Sequence, residues 1–147
     1  MSSMPNAKVF NEKRTNRNIQ RKFYTQMDKL ELDYLKEKIN QVDEVTLTDH
    51  CKQRMKEIDI TTEHLYKILG HVKAYNIIEY NEGKRPGDTR IVIKDFNPIK
   101  CKDGRFVNAY YCIDYTTKQL ITIWVNLLGD THDTLDMSIY NKDLKIL

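Results

Sequence analysis

No apolar run in the chain approaches the roughly 20 residues that a membrane-spanning helix requires, and the basic polar stretch at its N-terminus has no hydrophobic block behind it. A soluble, cytoplasmic protein without a membrane partner is the expectation. Metal-ligand spacing is missing too. Cys51, Cys101 and Cys112 form an odd set without a CxxC, and His50, His64, His71 and His132 are scattered with no HxxxH. The pattern points away from zinc or any other cofactor and toward reduced thiols. Nor is there a large charge of one sign: the formal net charge is +3 and the pI about 8.6, too mild to argue for nucleic acid by itself.

What is present is more informative. At 147 residues the chain is long enough to bury a core without a metal or disulfide staple, and one domain is expected over residues 19–147, preceded by an arm over 1–18. Charge is unevenly spread. Lys8, Lys13, Arg14, Arg17, Arg21, Lys22 and Lys29 crowd the start against only Glu12 and Asp28, whereas Asp130, Asp133, Asp136 and Asp143 lie near the end. A basic, flexible arm of this kind can track phosphates through Arg14, Arg17 and Arg21; it can equally be a solvated terminus.

Apolar residues recur at helical spacing at Phe23, Met27, Leu30, Tyr34, Leu35 and Ile39, predicting a helix over about 19–40. Thr48 or Asp49 can cap a second helix that buries Cys51, Met55 and Ile58, and Thr61 a third that Gly70 stops. From Ala74 the period changes to two. Tyr75–Tyr80, Thr89–Phe96, Phe106–Tyr115 and Lys118–Leu127 read as strands, the last two as a hairpin turning around Thr116-Thr117. Residues 130–133 read as a loop, and Met137–Leu147 as an edge strand or a short helix. The expected fold is therefore α+β, with N-terminal helices on one face of a curved antiparallel sheet of about four strands.

Alternation divides that sheet. Ile91 and Ile93, then Val107, Ala109, Tyr111 and Ile113, then Ile121, Ile123, Val125 and Leu127 share a parity and should pack on the helices. The opposite parity presents Arg90, Val92 and Lys94, then Asn108, Tyr110, Cys112 and Asp114, then Thr122, Trp124 and Asn126. Cations and amides interleaved with aromatics suit single-stranded RNA, with Arg90 and Lys94 on phosphates, Tyr110 and Trp124 stacking bases, and Asn126 beside them. The competing reading is that a helix or the acidic tail covers this face and buries Trp124.

His50 and Arg54 stand one helical turn apart, placing a group that titrates near neutrality beside a fixed cation. That pair suits metal-independent phosphodiester cleavage, His50 moving a proton, Arg54 holding the phosphate and Thr122 adding a hydrogen bond. The bland alternative is a capping histidine and an arginine paired with Glu57 or Glu82.

The order of these parts resembles a bacterial and phage domain family of unknown function grouped with the barnase–EndoU–colicin–RelE (BECR) ribonuclease fold. The markers are the helix opening with His50 and carrying Arg54, the Ile60-Thr61-Thr62 start of the next helix, Ile77-Ile78-Glu79-Tyr80, and Leu120-Ile121-Thr122-Ile123-Trp124 in the final strand. They lie within about residues 48–128. The resemblance implies helices against a curved sheet, RNA on its open face, and a toxin-like, metal-independent endoribonuclease in which His50, Arg54 and Thr122 match the family's pattern. Its partners would be RNA and, for a toxin, a cognate antitoxin. Ile58-Asp59 departs from that pattern, standing where related sequences often carry a second basic residue. A catalytically inactive inhibitor or regulator docking on a bacterial host protein or nucleic acid is the alternative on the same scaffold. A DNA-binding regulator fits less well: it would need a recognition helix with exposed base-reading residues after a tight turn, and the helix pair over 49–58 and 61–69 is joined by only two or three residues.

Overall fold

The computed structural model describes residues 19–85, 87–128 and 136–147. The N-terminal arm expected over 1–18, including Arg14 and Arg17, and the loop at 130–133 lie outside the described residues. Within them the chain is α+β: strands β1 (Arg21–Phe23), β2 (Thr46–Leu47), β3 (Ile77–Asn81), β4 (Arg90–Lys94), β5 (Ile99–Lys100), β6 (Phe106–Asp114) and β7 (Gln119–Leu127), with helices α1 (Lys29–Asn40), α2 (Asp49–Glu57) and α3 (Thr62–Ile68). The seven-stranded sheet runs β1-β3-β4-β6-β7-β2, with β5 pairing β6 off that path. Expectation and structure differ in strand number because β1, β2 and β5 are two or three residues long. So short a run carries no readable alternation.

The expected first helix is also shorter. Asp28 accepts from the Glu31 amide at 2.8 Å while the Glu31 carboxylate accepts from the Asp28 amide at 3.1 Å, a reciprocal capping box that starts α1 at Lys29. Phe23 and Met27 extend the helical spacing by coincidence. Both are buried, but from β1 and from the turn behind it. The second and third helices begin at their expected caps, the Thr48 hydroxyl accepting from Cys51 N and the Thr61 hydroxyl from His64 N. α2 closes with a Schellman turn. Asp59 N donates to Lys56 O and Ile60 N to Met55 O, which places Asp59 in the left-handed region at φ 61° where glycine is usual. Gly70, at φ 93°, does take that role after α3.

All three helices bury against one face. Leu35 and Ile39, Cys51 and Met55, and Leu65 and Ile68 meet Ile77, Ile91, Ile93, Ala109, Tyr111, Ile113, Leu120 and Ile123 in one cluster. Each fully buried side chain of this size contributes about 1.5–3 kcal/mol. The expected parity holds for β4, β6 and the middle of β7, with two corrections. Between Cys112 and Ile113 the β6–β7 register shifts, so Ile113 faces Leu120 while Cys112 faces Thr122. That bulge moves Leu120 into the core and turns Ile121 onto the open face beside Val92 and Tyr110. Leu127, also expected inside, is exposed at the strand's end.

The C-terminal segment is neither of the two forms expected. After a single 3-10 turn at Met137–Ile139 it runs as a strap along the outer edge of β1, with Asn141 N donating to Arg21 O at 2.7 Å and Leu144 entering the core. Lys22 joins three parts at that corner. Its ammonium donates to Glu31 of α1 at 2.8 Å and to Leu144 O at 3.2 Å, buried from solvent.

Candidate nucleic-acid interface

Because helices cover only one face, the opposite parity of β3, β4, β6 and β7 is left without a helical layer. Strand register decides what lies there. Lys94, Tyr110 and Trp124 are direct cross-strand neighbours and form one row; Asn108 and Asn126 form the next. The Tyr110 and Trp124 rings stack with centroids 5.5 Å apart and planes 12° from parallel. Tyr110 is buried beneath this arrangement, and Trp124, Lys94 and Asn126 are half-buried. Burial pushes the Tyr110 phenol up, with Asn126 opposing the shift, so it stays neutral at physiological pH. Among the described residues the helices α1–α3 pack into the core on the opposite side from Trp124.

Toward β1 the same face becomes ionic. Glu79 receives Arg21 at 3.4 Å, Asn81 Nδ2 at 3.3 Å and the Tyr140 hydroxyl at 2.8 Å, and Arg90 meets Asp88 at 3.4 Å. Arg21 and Arg90 are thus largely committed to carboxylates, and their buried Nε atoms find no acceptor among the described residues. Next to Arg90's strand on the same face, β6 carries Cys112, whose thiol is pushed up to about 12, first by burial and then by Glu79. It is a packed, protonated side chain and a poor nucleophile.

His50 and Arg54 are elsewhere. α2 presses Cys51 and Met55 into the helix-side core, the Cys51 thiol reaching Leu120 O at 3.4 Å, while Thr122 pairs with Cys112 on the other side of the sheet. Cys51 and Met55 of α2 thus belong to the helix-side core, whereas Thr122, Arg90 and Tyr110 belong to the opposite parity of the strands. His50 is exposed, and Arg54 pairs with Glu57 at 3.5 Å.

A different histidine has the geometry of a proton-moving group. His64 Nε2 lies 2.7 Å from Asp95 Oδ2, and the Tyr111 hydroxyl donates to the same oxygen at 2.7 Å. The Asp95 side chain is 3 % exposed and that of His64 40 %, so a buried carboxylate orients an imidazole that still reaches solvent. Burial and the Asp95 charge push the Tyr111 phenol well above its ordinary value, which keeps it a donor. The signal for this group was in the strand alternation. Asp95 continues the parity of Ile91 and Ile93, and a carboxylate on a core-facing position must find partners. Among the described residues no three of His, Cys, Asp or Glu gather as metal ligands, and no helix is long and apolar enough to cross a membrane.

In comparisons with known proteins the chain matches no family model, no curated protein and no solved structure.

Proposed function

We propose that the chain binds single-stranded RNA across the open face of its sheet, in the manner expected of a BECR-like domain. The observation that carries this reading is the stack of Trp124 on Tyr110, flanked by Lys94 and Asn126, on a face that the helices leave free. A base stacked on a half-exposed indole is stabilised by about 1–3 kcal/mol whatever its identity, and a lysine in the same row supplies the phosphate contact. Binding is put before cleavage by His50, because the stacked aromatic pair needs no proton-moving group to act. Trp124 is the chain's single tryptophan, so its fluorescence reports directly. Titration with a short single-stranded RNA should quench it saturably, Lys94→Gln should lower the salt slope by about one, and Trp124→Ala, followed by anisotropy of labelled RNA, should weaken binding about tenfold. RNA affinity indifferent to both substitutions would move the assignment to a regulator that docks on a protein.

A second reading, metal-independent RNA cleavage, has one specific observation in its favour. On the helix-covered side of the sheet the buried Asp95 carboxylate orients the part-exposed His64 imidazole, the arrangement a general acid or base needs at a site separate from the platform. In EDTA, cleavage that survives His50→Ala and is lost in His64→Ala would establish this reading. Cleavage lost only in His50→Ala would restore the His50–Arg54 site.

A further inference from the structure

On the helix side, away from the open face, a cavity of about 300 Å³ opens between α2, the start of α3 and the loop after β5. Three lysines border it. Lys52 and Lys56 are one turn apart on α2, so their ammonium groups project side by side, and Lys102 approaches from the loop. None of the three has a carboxylate within ion-pair distance among the described residues, and local chemistry accounts for that. Glu57, next to Lys56, is held by Arg54 at 3.5 Å, and Asp103, next to Lys102, is held by Arg105 at 2.7 Å. Adjacent acids are thus taken by arginines while the lysines are left to face one concavity. Asp59 is the single carboxylate in its lining.

Like charges at i, i+4 repel, so an arrangement of this kind is relieved by an anion. The floor is not charged. Leu47, with the edges of the buried Met55 and Ile60, lines it with apolar atoms, and the Thr62 hydroxyl adds a hydrogen-bonding group beside the N-cap Thr61. The volume is at the small end of ligand sites, and the combination of cations over an apolar floor matches a phosphate attached to a compact ring-bearing body. We propose that this cavity binds the phosphate of a mononucleotide unit, either a free nucleoside monophosphate or the phosphorylated 5′ end of an RNA. The site is independent of the open-face platform.

Calorimetry on the full chain tests it with AMP, adenosine, and one short RNA carrying either a 5′-phosphate or a 5′-hydroxyl. AMP should bind saturably and adenosine at least about tenfold more weakly, the difference being the phosphate contacts. Lys52→Gln with Lys56→Gln should weaken AMP about tenfold or more, and Lys102→Gln, from a different segment, about fivefold. Lys67→Gln, an exposed change on α3 outside the cavity, should leave AMP affinity unchanged. A preference for 5′-phosphorylated RNA that disappears in the lysine variants assigns the site to RNA ends. AMP binding without that preference assigns it to free nucleotides. Absence of both, or an equal response to Lys67→Gln, overturns the proposal. Trp124→Ala should leave AMP binding intact, so failure of the platform and failure of this site are told apart.

Discussion

The helix-covered face of the sheet and its open face are made from alternate residues of the same strands, yet side chains are buried on them by different means. On the covered face Ile91, Ile93, Tyr111, Ile113 and Ile123 are removed from water by whole helices, and the one carboxylate among them, Asp95, is saturated by His64 and Tyr111. On the open face Val92, Tyr110 and Cys112 are buried only by their neighbours Ile78, Ile121 and Trp124 lying over them. A sheet face can therefore be dry at its centre without a covering layer, provided its side chains are long and cross-strand partners meet. The difference lies in redundancy. A gap under a helix cannot collapse easily, whereas a gap under mobile surface side chains can.

Substitutions that probe this contrast fall in order of size. The largest effect is expected at the corner where α1, β1 and the C-terminal strap meet. Glu31→Ala leaves the buried Lys22 ammonium without its counter-charge and removes half of the α1 capping box, and should cost about 3–5 kcal/mol by denaturant unfolding. Next come adjacent residues of β4. Ile93→Ala, under the helices, should cost about 2–5 kcal/mol, and Val92→Ala, under Ile78 and Ile121, only about 1–2 kcal/mol. Equal costs would show that the open face is packed as rigidly as the covered one.

An effect about as large as that of Val92→Ala is expected at the β6–β7 turn. There the Asp114 carboxylate receives the amides of Thr89, Thr116 and Thr117 and the Thr89 hydroxyl at 3.0–3.1 Å. Burial pushes its pKa up, but these hydrogen bonds outweigh burial and hold it below the ordinary 3.8. A carboxyl depressed on folding stabilises the protein above its unfolded pKa, and that contribution disappears as pH falls from about 3.8 through the folded value. Asp114→Asn should cost about 2 kcal/mol at neutral pH and flatten that part of the acid transition, as thermal melts across the range would show. The smallest change is a gain. Asp59→Gly relieves the left-handed backbone at the end of α2 and should add up to about 1 kcal/mol.

Legibility in the chain followed the length of the repeating pattern. The capped starts of α2 and α3 and the β6–β7 hairpin were readable because each has either a side chain that satisfies orphan amides or nine-residue strands, and the Gly70 stop because the left-handed turn there favours glycine. β1 was misread as helix because Phe23 and Met27 happen to continue the spacing of Leu30 and Tyr34. Ile121 was misplaced because a bulge adds a residue that alternation cannot count. Of the candidate site, the platform row Lys94–Tyr110–Trp124 followed from parity and register. His64 with Asp95 did not, since the two are 31 positions apart and only the packing of α3 on β4 makes them neighbours.

By itself, then, the order of residues determined which side chains share a strand face and where two helices begin, because these depend on periods of two and on capping groups within a few positions. That Arg21 is tied to Glu79, that His64 meets Asp95, and that Lys102 joins Lys52 and Lys56 around one cavity were decided only by tertiary structure. Those contacts join segments far apart in the chain. They form when burial of the apolar parity forces their polar neighbours into whatever company the packed elements supply.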